Sequence, residues 1–216
     1  MKISKESCIV GGIALAFIII FALIVWKTPA ANGPKTVGDA SLLVRADSHT
    51  TGSADATVVM VEFGDYQCPA CGMVHPMLKQ VIDAYKNNPK FSFVFRNFPL
   101  PQHANALISA EAAEAAGAQG KYWEMHDMLY EHQSEWSDVA DPSAIFAGYA
   151  QSLSLNVTKF KSDITGKKFA AAIAADQKDA AALNLDHTPT VFLNGKEVDQ
   201  GMTVDGLKAQ IDVLLK

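Results

Sequence analysis

Cys68 and Cys71 stand two residues apart in "VEFGDYQCPACGMVHP", Val61 to Pro76, directly after an apolar run. Two thiols at this spacing can close a disulfide within one helical turn, or supply half of a metal site. A thiol acts as a nucleophile only as its thiolate. A helix N-terminus favours that form, because unpaired backbone N–H groups point at the sulfur and the helix dipole stabilises negative charge. A cysteine placed there is expected below the free value of about 8.5. The pattern puts Cys68 at or just before a helix start, with Pro69 fixing one backbone angle of the short ring. Cys68 would then exchange with substrate, and Cys71, one turn in, would resolve the mixed disulfide.

Two further residues bear on this chemistry. Glu62 lies in the middle of "VVMVEF", six positions before Cys68. If that strand is central, the carboxyl is buried with a raised pKa and can exchange a proton when Cys71 reacts. The alternative places Glu62 on a solvated edge. Pro189, at the start of a second apolar strand, follows Thr188. A cis Thr188–Pro189 bond would expose the Thr188 backbone for pairing with a peptide.

Metal binding is the first rival. A zinc site needs four ligands, and no cysteine beyond residue 40 accompanies Cys68 and Cys71. His75 follows Cys71 by four residues, and His126 and His132 are six apart, a poor same-face spacing on a helix. No metal is expected. His103, His126 and His132 are expected at helix starts or surfaces. His187, beside Thr188, either lines a groove or is a bystander. Tyr122, Trp123, Met125 and Met128 are expected in the core rather than in a cofactor box.

The elements that must position these groups follow from periodicity. Thr57 to Phe63 is a β-branched apolar run of strand length, and Phe91 to Phe98 reads as a second strand. From Cys71 onward, Met73, Met77, Leu78, Val81, Ile82 and Tyr85 recur at helical spacing. Residues 103 to 185 turn Ala-rich and helix-forming, with Asp141-Pro142 as a helix start. Strand character returns over Thr188 to Gly195, where Asn194-Gly195 signals a hairpin. "KEVDQG" would return, and Thr203 to Lys216 would form a closing helix. The order is a βαβ unit, a helical block and a ββα unit, without internal repeats.

The first 40 of the 216 residues differ in character. Residues 1–8 carry Lys2 and Lys5, and residues 9–26 hold no charge. A helix of that length spans about 27 Å, close to a bilayer core. The expectation is a single-pass signal-anchor with a cytoplasmic amino end and an exported remainder. A cleaved signal peptide, using Thr28-Pro29-Ala30, is the alternative. Cys8 is incidental. Residues 27–40 read as a linker, and residues 41–216 as one domain. The net charge of −5 comes with no basic block, which argues against nucleic acid. The exported part has no other cysteine and so no structural disulfide framework.

In combination, "VEFGDYQCPACG", Pro76, "FRNFPLPQH", "AAEAAGAQGKYWEMHDMLY" and "HTPTVFLNG" resemble the DsbA-like (DsbA/BdbD-type) thiol–disulfide oxidoreductases of the thioredoxin superfamily. The resemblance covers about residues 41 to 216. It implies an α/β thioredoxin fold with a helical insertion at about 103–185. It implies Cys68 as nucleophile, Cys71 as resolving thiol and Glu62 as buried acid. Pro189 matches the cis-proline, with Thr188 lining the substrate groove beside Pro69 and Ala70, and Pro76 matches the helix-kink proline. The redox-active disulfide takes the place of a cofactor. The Pro-Ala dipeptide departs from the Pro-His of the strongly oxidising enzyme and lacks the histidine that helps stabilise a thiolate there. Implied partners are exported polypeptides with free thiols and a quinone-linked reoxidase of the DsbB or vitamin K epoxide reductase-like kind. A disulfide donor is expected. A protein-disulfide reductase and a membrane-tethered nonredox binding module are the alternatives.

Overall fold

The computed structural model describes residues 35–216, of which Thr36–Lys216 form one unit. The expected signal-anchor at 9–26, Cys8 and most of the linker lie outside the described residues. Among the described residues no helix is long and apolar enough to cross a membrane.

Five strands form one sheet: β1 (His49–Gly52), β2 (Val58–Gly64), β3 (Phe91–Asn97), β4 (Thr190–Leu193) and β5 (Lys196–Glu197). Their spatial order is β1-β3-β2-β4-β5. The β2–β3 pair is parallel, and every other pair is antiparallel. Parallel neighbours require a crossover, and helix α1 (Pro69–Tyr85) supplies it. Between β3 and β4 come α2 (Ala106–Gly117), α3 (Tyr122–Glu131), α4 (Gln133–Trp136), α5 (Ser143–Ser152), α6 (Val157–Thr165) and α7 (Ala170–Ala182). The chain closes with α8 (Val204–Leu214).

The sequence reading misses β1. His49–Gly52 is four residues with no large apolar side chain, and only its pairing with β3 makes it a strand. The return strand is two residues rather than six, because the chain leaves the sheet after Glu197. Asn194 and Gly195 both adopt positive φ, 46° and 80°, as a tight hairpin of this hand requires. The helix start at Asp141-Pro142 falls slightly later, at Ser143, and the Asp141 carboxylate accepts the Ser143 N–H at 2.9 Å.

The central strands are buried throughout because both sheet faces are covered. Period-two alternation divides them. Val58, Met60, Phe91, Phe93, Phe95, Val191 and Leu193 pack into the larger core with Cys71, Leu78 and Val81 of α1. Val61, Phe63, Val94 and Phe192 pack on the other face with Leu43, Ala180 and Leu185. Glu62 follows Val58 and Met60 in that alternation, so it belongs to the face that α1 covers.

Arg96 is fully buried toward the opposite face. Its guanidinium donates to Asp176 and Asp179 at 2.7 Å each and to the Leu42 and Leu43 carbonyls, and it lies over the Phe63 ring. A planar five-donor group matches this fork of carboxylates and carbonyls, where a lysine would leave acceptors unpaired. Arg96 thereby joins β3 to α7 and to the turn at Ala40–Leu42. The Ala-rich α2 is buried on almost all sides, which its small residues permit.

Candidate active site

Cys68 is the N-cap of α1, extended at φ −65° and ψ 122°, with Pro69 at the first helical position. Pro lacks an N–H, so nothing is lost there. The next N–H groups, of Ala70 and Cys71, point at the sulfur. In this dithiol form the Cys68 thiol is brought down to about 5. The largest cause is the hydrogen bond from the Cys71 thiol. Burial opposes it, and the Cys71 and Ala70 N–H groups add to it. Cys71 moves the other way: burial pushes its thiol far up, and the bond to Cys68 and the charge of Glu62 push it further. Fully buried, Cys71 is the thiol that water cannot reach.

Glu62 is 2% exposed, opposite Phe95 on one side and Val191 on the other. The solvated-edge alternative is therefore excluded. Burial raises its carboxyl to about 8, and the charge of Cys68 contributes to the rise. Its Oε1 has no hydrogen-bond partner. The Tyr130 hydroxyl is likewise buried and unpartnered, and the charges of Cys71 and Glu62 both act on it.

The Thr188–Pro189 peptide is cis. In the thiol form Cys68 Sγ donates to the Thr188 carbonyl at 3.5 Å, which brings that loop against the sulfur. Pro69 is exposed and Ala70 half-buried at the same rim. Cys68, Cys71, Glu62, Ala70 and Thr188 thus meet at one place, with Pro69 and Pro189 adjoining in the chain. His187 is exposed and pairs with Asp186 rather than with either cysteine.

Two supports were not evident from sequence. Gln133 of α4 donates its side-chain N–H groups to the carbonyls of Tyr66 at 2.6 Å and Cys68 at 2.9 Å. Gly72 makes room for it, since a Cβ there would lie 2.5 Å from Gln133 Oε1. Asp65 accepts from the Gln67 and Leu100 backbones and pairs with His103 at 2.6 Å, tying the cysteine turn to the segment after β3. Gln133 and His103 come from chain segments far from the cysteines, and spacing carries no signal of them. His126 departs from expectation: it is 3% exposed, in the middle of α3, because the aromatic rings of Tyr66, Phe95 and Trp123 enclose it.

Residues 45–213 match the family model described as thioredoxin. The chain belongs to the thioredoxin family. Among the relatives of this thioredoxin-family chain is a protein named Na(+)/H(+) antiporter NhaA 1, from Salinispora arenicola (strain CNS-205). It is 33% identical over 208 residues, covering 93% of this chain and 31% of that protein. The chain spans less than a third of the length of the antiporter-named relatives it matches. A protein named probable disulfide bond formation protein D, from Bacillus anthracis, is 29% identical over 227 residues and matches along the whole of both chains. Oxidised BdbD from Bacillus subtilis superposes with a TM-score of 0.70 at 22% identity, covering 84% of this chain and 96% of that one. The resemblance to DsbA/BdbD-type thiol–disulfide oxidoreductases stands, and the thioredoxin fold with helices inserted between β3 and β4 bears it out.

Proposed function

We propose that this protein is a membrane-anchored, exported thiol–disulfide oxidoreductase that introduces disulfides through Cys68 and Cys71. The observation that carries the reading is the contrast between the two thiols. One is held near 5 at a helix N-terminus, and its partner is buried and held protonated. A stabilised Cys68 thiolate favours the dithiol over the disulfide, and that preference makes a CxxC pair oxidising.

In the resting disulfide, a substrate thiolate attacks Cys68 Sγ. The Cys68–Cys71 bond breaks, and the electron pair leaves on Cys71. Glu62, neutral below about pH 8, gives Cys71 the proton that its high pKa demands. A second substrate thiolate then attacks the substrate sulfur of the mixed disulfide. Cys68 leaves as its thiolate, held by the Ala70 and Cys71 N–H groups. Two electrons have passed from the substrate dithiol to the protein. Thr188 and Pro189, with Pro69 and Ala70, border the bound polypeptide, whose backbone pairs beside Thr188. A quinone-linked membrane partner of the DsbB or vitamin K epoxide reductase-like kind returns the pair to the disulfide. An anchor at residues 9–26 would keep the domain on the extracytoplasmic side of the membrane, near that partner. The name of the Bacillus anthracis relative supports the donor direction.

The test is the equilibrium reduction potential of Cys68–Cys71 against glutathione. A value near about −120 mV, like that of a strong oxidase, supports a disulfide donor. A value near about −270 mV, like that of thioredoxin, makes the protein a reductase. Absence of exchange would leave a nonredox binding module.

A further inference from the structure

His75 of α1 and His126 of α3 occupy different helices, and the fold brings their rings to a centroid distance of 5.3 Å. The donor atoms of His75, His126 and Asp127 all lie within 4.8 Å of one another. They border a cavity of about 180 Å³ that Thr51, Lys79 and Trp123 also line. None of these residues belongs to the thiol site.

Aromatic packing accounts for the ring faces. His75 stacks on Tyr130, and His126 meets Tyr66, Phe95 and Trp123 edge-on. It does not account for the nitrogens. His75 is 5% exposed, and its buried Nε2 has no hydrogen-bond partner; Asp127 Oδ1 lies 3.5 Å away. A buried polar atom without a protein partner, facing a cavity, is costly unless water or a ligand binds it. His126 Nδ1 lies 3.0 Å from the Tyr66 hydroxyl, which itself donates to Tyr122. That contact fixes the ring's orientation, and in the tautomer protonated at Nδ1 the other ring nitrogen has a free lone pair. An outer hydrogen bond of this kind orients a metal-ligating histidine.

We propose that His75, His126 and Asp127 form a binding site for a divalent metal of the zinc class, with cavity water completing the coordination. Two imidazoles and one carboxylate form the N₂O donor set of open zinc sites. Bonds of about 2.0 Å in a tetrahedron separate ligand atoms by about 3.3 Å. The His75–Asp127 pair is already near that separation, and the His126 donor, within 4.8 Å of both, must close by up to about 1.5 Å. Lys79 holds Asp127 Oδ2 at 2.7 Å and leaves Oδ1 to the metal, but its charge opposes the cation. Bound metal would clamp α1 to α3 one turn beyond Cys71.

The experiment uses the untagged full chain with Cys8, Cys68 and Cys71 changed to Ser, so that thiolates contribute nothing. Zn²⁺ is titrated by calorimetry and Co²⁺ by absorption, with circular dichroism reporting the fold. The expected result is one-to-one binding, with Co²⁺ ligand-field bands of a low-coordinate N/O site. Asp127→Asn, at a half-buried position, weakens binding about tenfold or more, in line with losses at metal-supporting positions. His75→Ala abolishes binding, and Lys79→Met tightens it. No saturable binding by the folded thiol-free chain overturns the proposal. So does binding of the same strength in Asp127→Asn.

Discussion

Replacing Glu62 with Gln removes an ionisation while keeping the side chain's shape, and the structure sets the expected size of the effect. Burial lifts the carboxyl from its ordinary 4.5 to about 8. The native state therefore keeps a proton that the unfolded chain has shed. The contribution is fully present below pH 4.5 and is lost as pH rises through about 8. Across that window the wild type loses roughly 1.4 kcal/mol per pH unit, or about 5 kcal/mol in all, relative to the variant. That is a large share of the ~5–15 kcal/mol that stabilises a typical domain. Urea unfolding of both proteins in the dithiol form, at intervals from pH 4 to 9, measures the difference directly. Any pH-independent cost of burying the Gln amide displaces the whole curve and leaves its slope unchanged. The titration of Cys68 cancels, apart from its charge coupling to Glu62. That coupling gives a second readout: in the disulfide form no Cys68 thiolate exists, so the upper limit of the window moves to lower pH. A stability difference that is flat with pH, or the same window in both redox states, would refute a buried carboxyl acting beside Cys68.

The remaining expectations test other contacts. Alkylation of Cys68 by iodoacetamide should rise with a midpoint near pH 5, while Cys71 stays unreactive across the neutral range. Because the Cys68 thiol is lowered, its stabilisation of the dithiol form is complete above its ordinary 9.0 and lost as pH falls through about 5. Cys71→Ala should accumulate mixed disulfides on Cys68, visible as reductant-sensitive high-mass bands, and folded protein without such bands counts against the assigned roles. Arg96→Ala leaves Asp176 only the Asn97 N–H and Asp179 only the longer contact to Arg45, and should cost about 3–5 kcal/mol in chemical unfolding, as breaking buried ion pairs does. Gly72→Ala drives a methyl into Gln133, frees the Tyr66 and Cys68 carbonyls, and should cost about 1–3 kcal/mol. Its effect should be largely absent in a Gln133→Ala background.

Local chemistry was legible in the residues themselves. An apolar β-branched run followed by a turn and a helical repeat places Cys68 at a helix start, because strand and helix periods differ and Pro69 tolerates the first helical position. The same run makes Glu62 anomalous, since a carboxyl among Val58, Met60 and Phe63 is affordable only when protonated or paired. Asn194-Gly195 announces its turn because two successive positive φ angles suit few other pairs. The tertiary structure decided what depends on meetings between distant segments. Only the order of strands makes β2 central, and so turns an odd glutamate into a buried acid with a raised pKa. His49–Gly52 is a strand because β3 offers it an open edge. Gln133 and His103 support the cysteine turn from segments beyond β3, through single side-chain contacts that leave no periodic trace. His75 and His126 show the limit most plainly. Spacing arguments compare residues on one helix, whereas these two rings meet where two helices cross, and that crossing is fixed by the packing of α1 and α3 over the sheet.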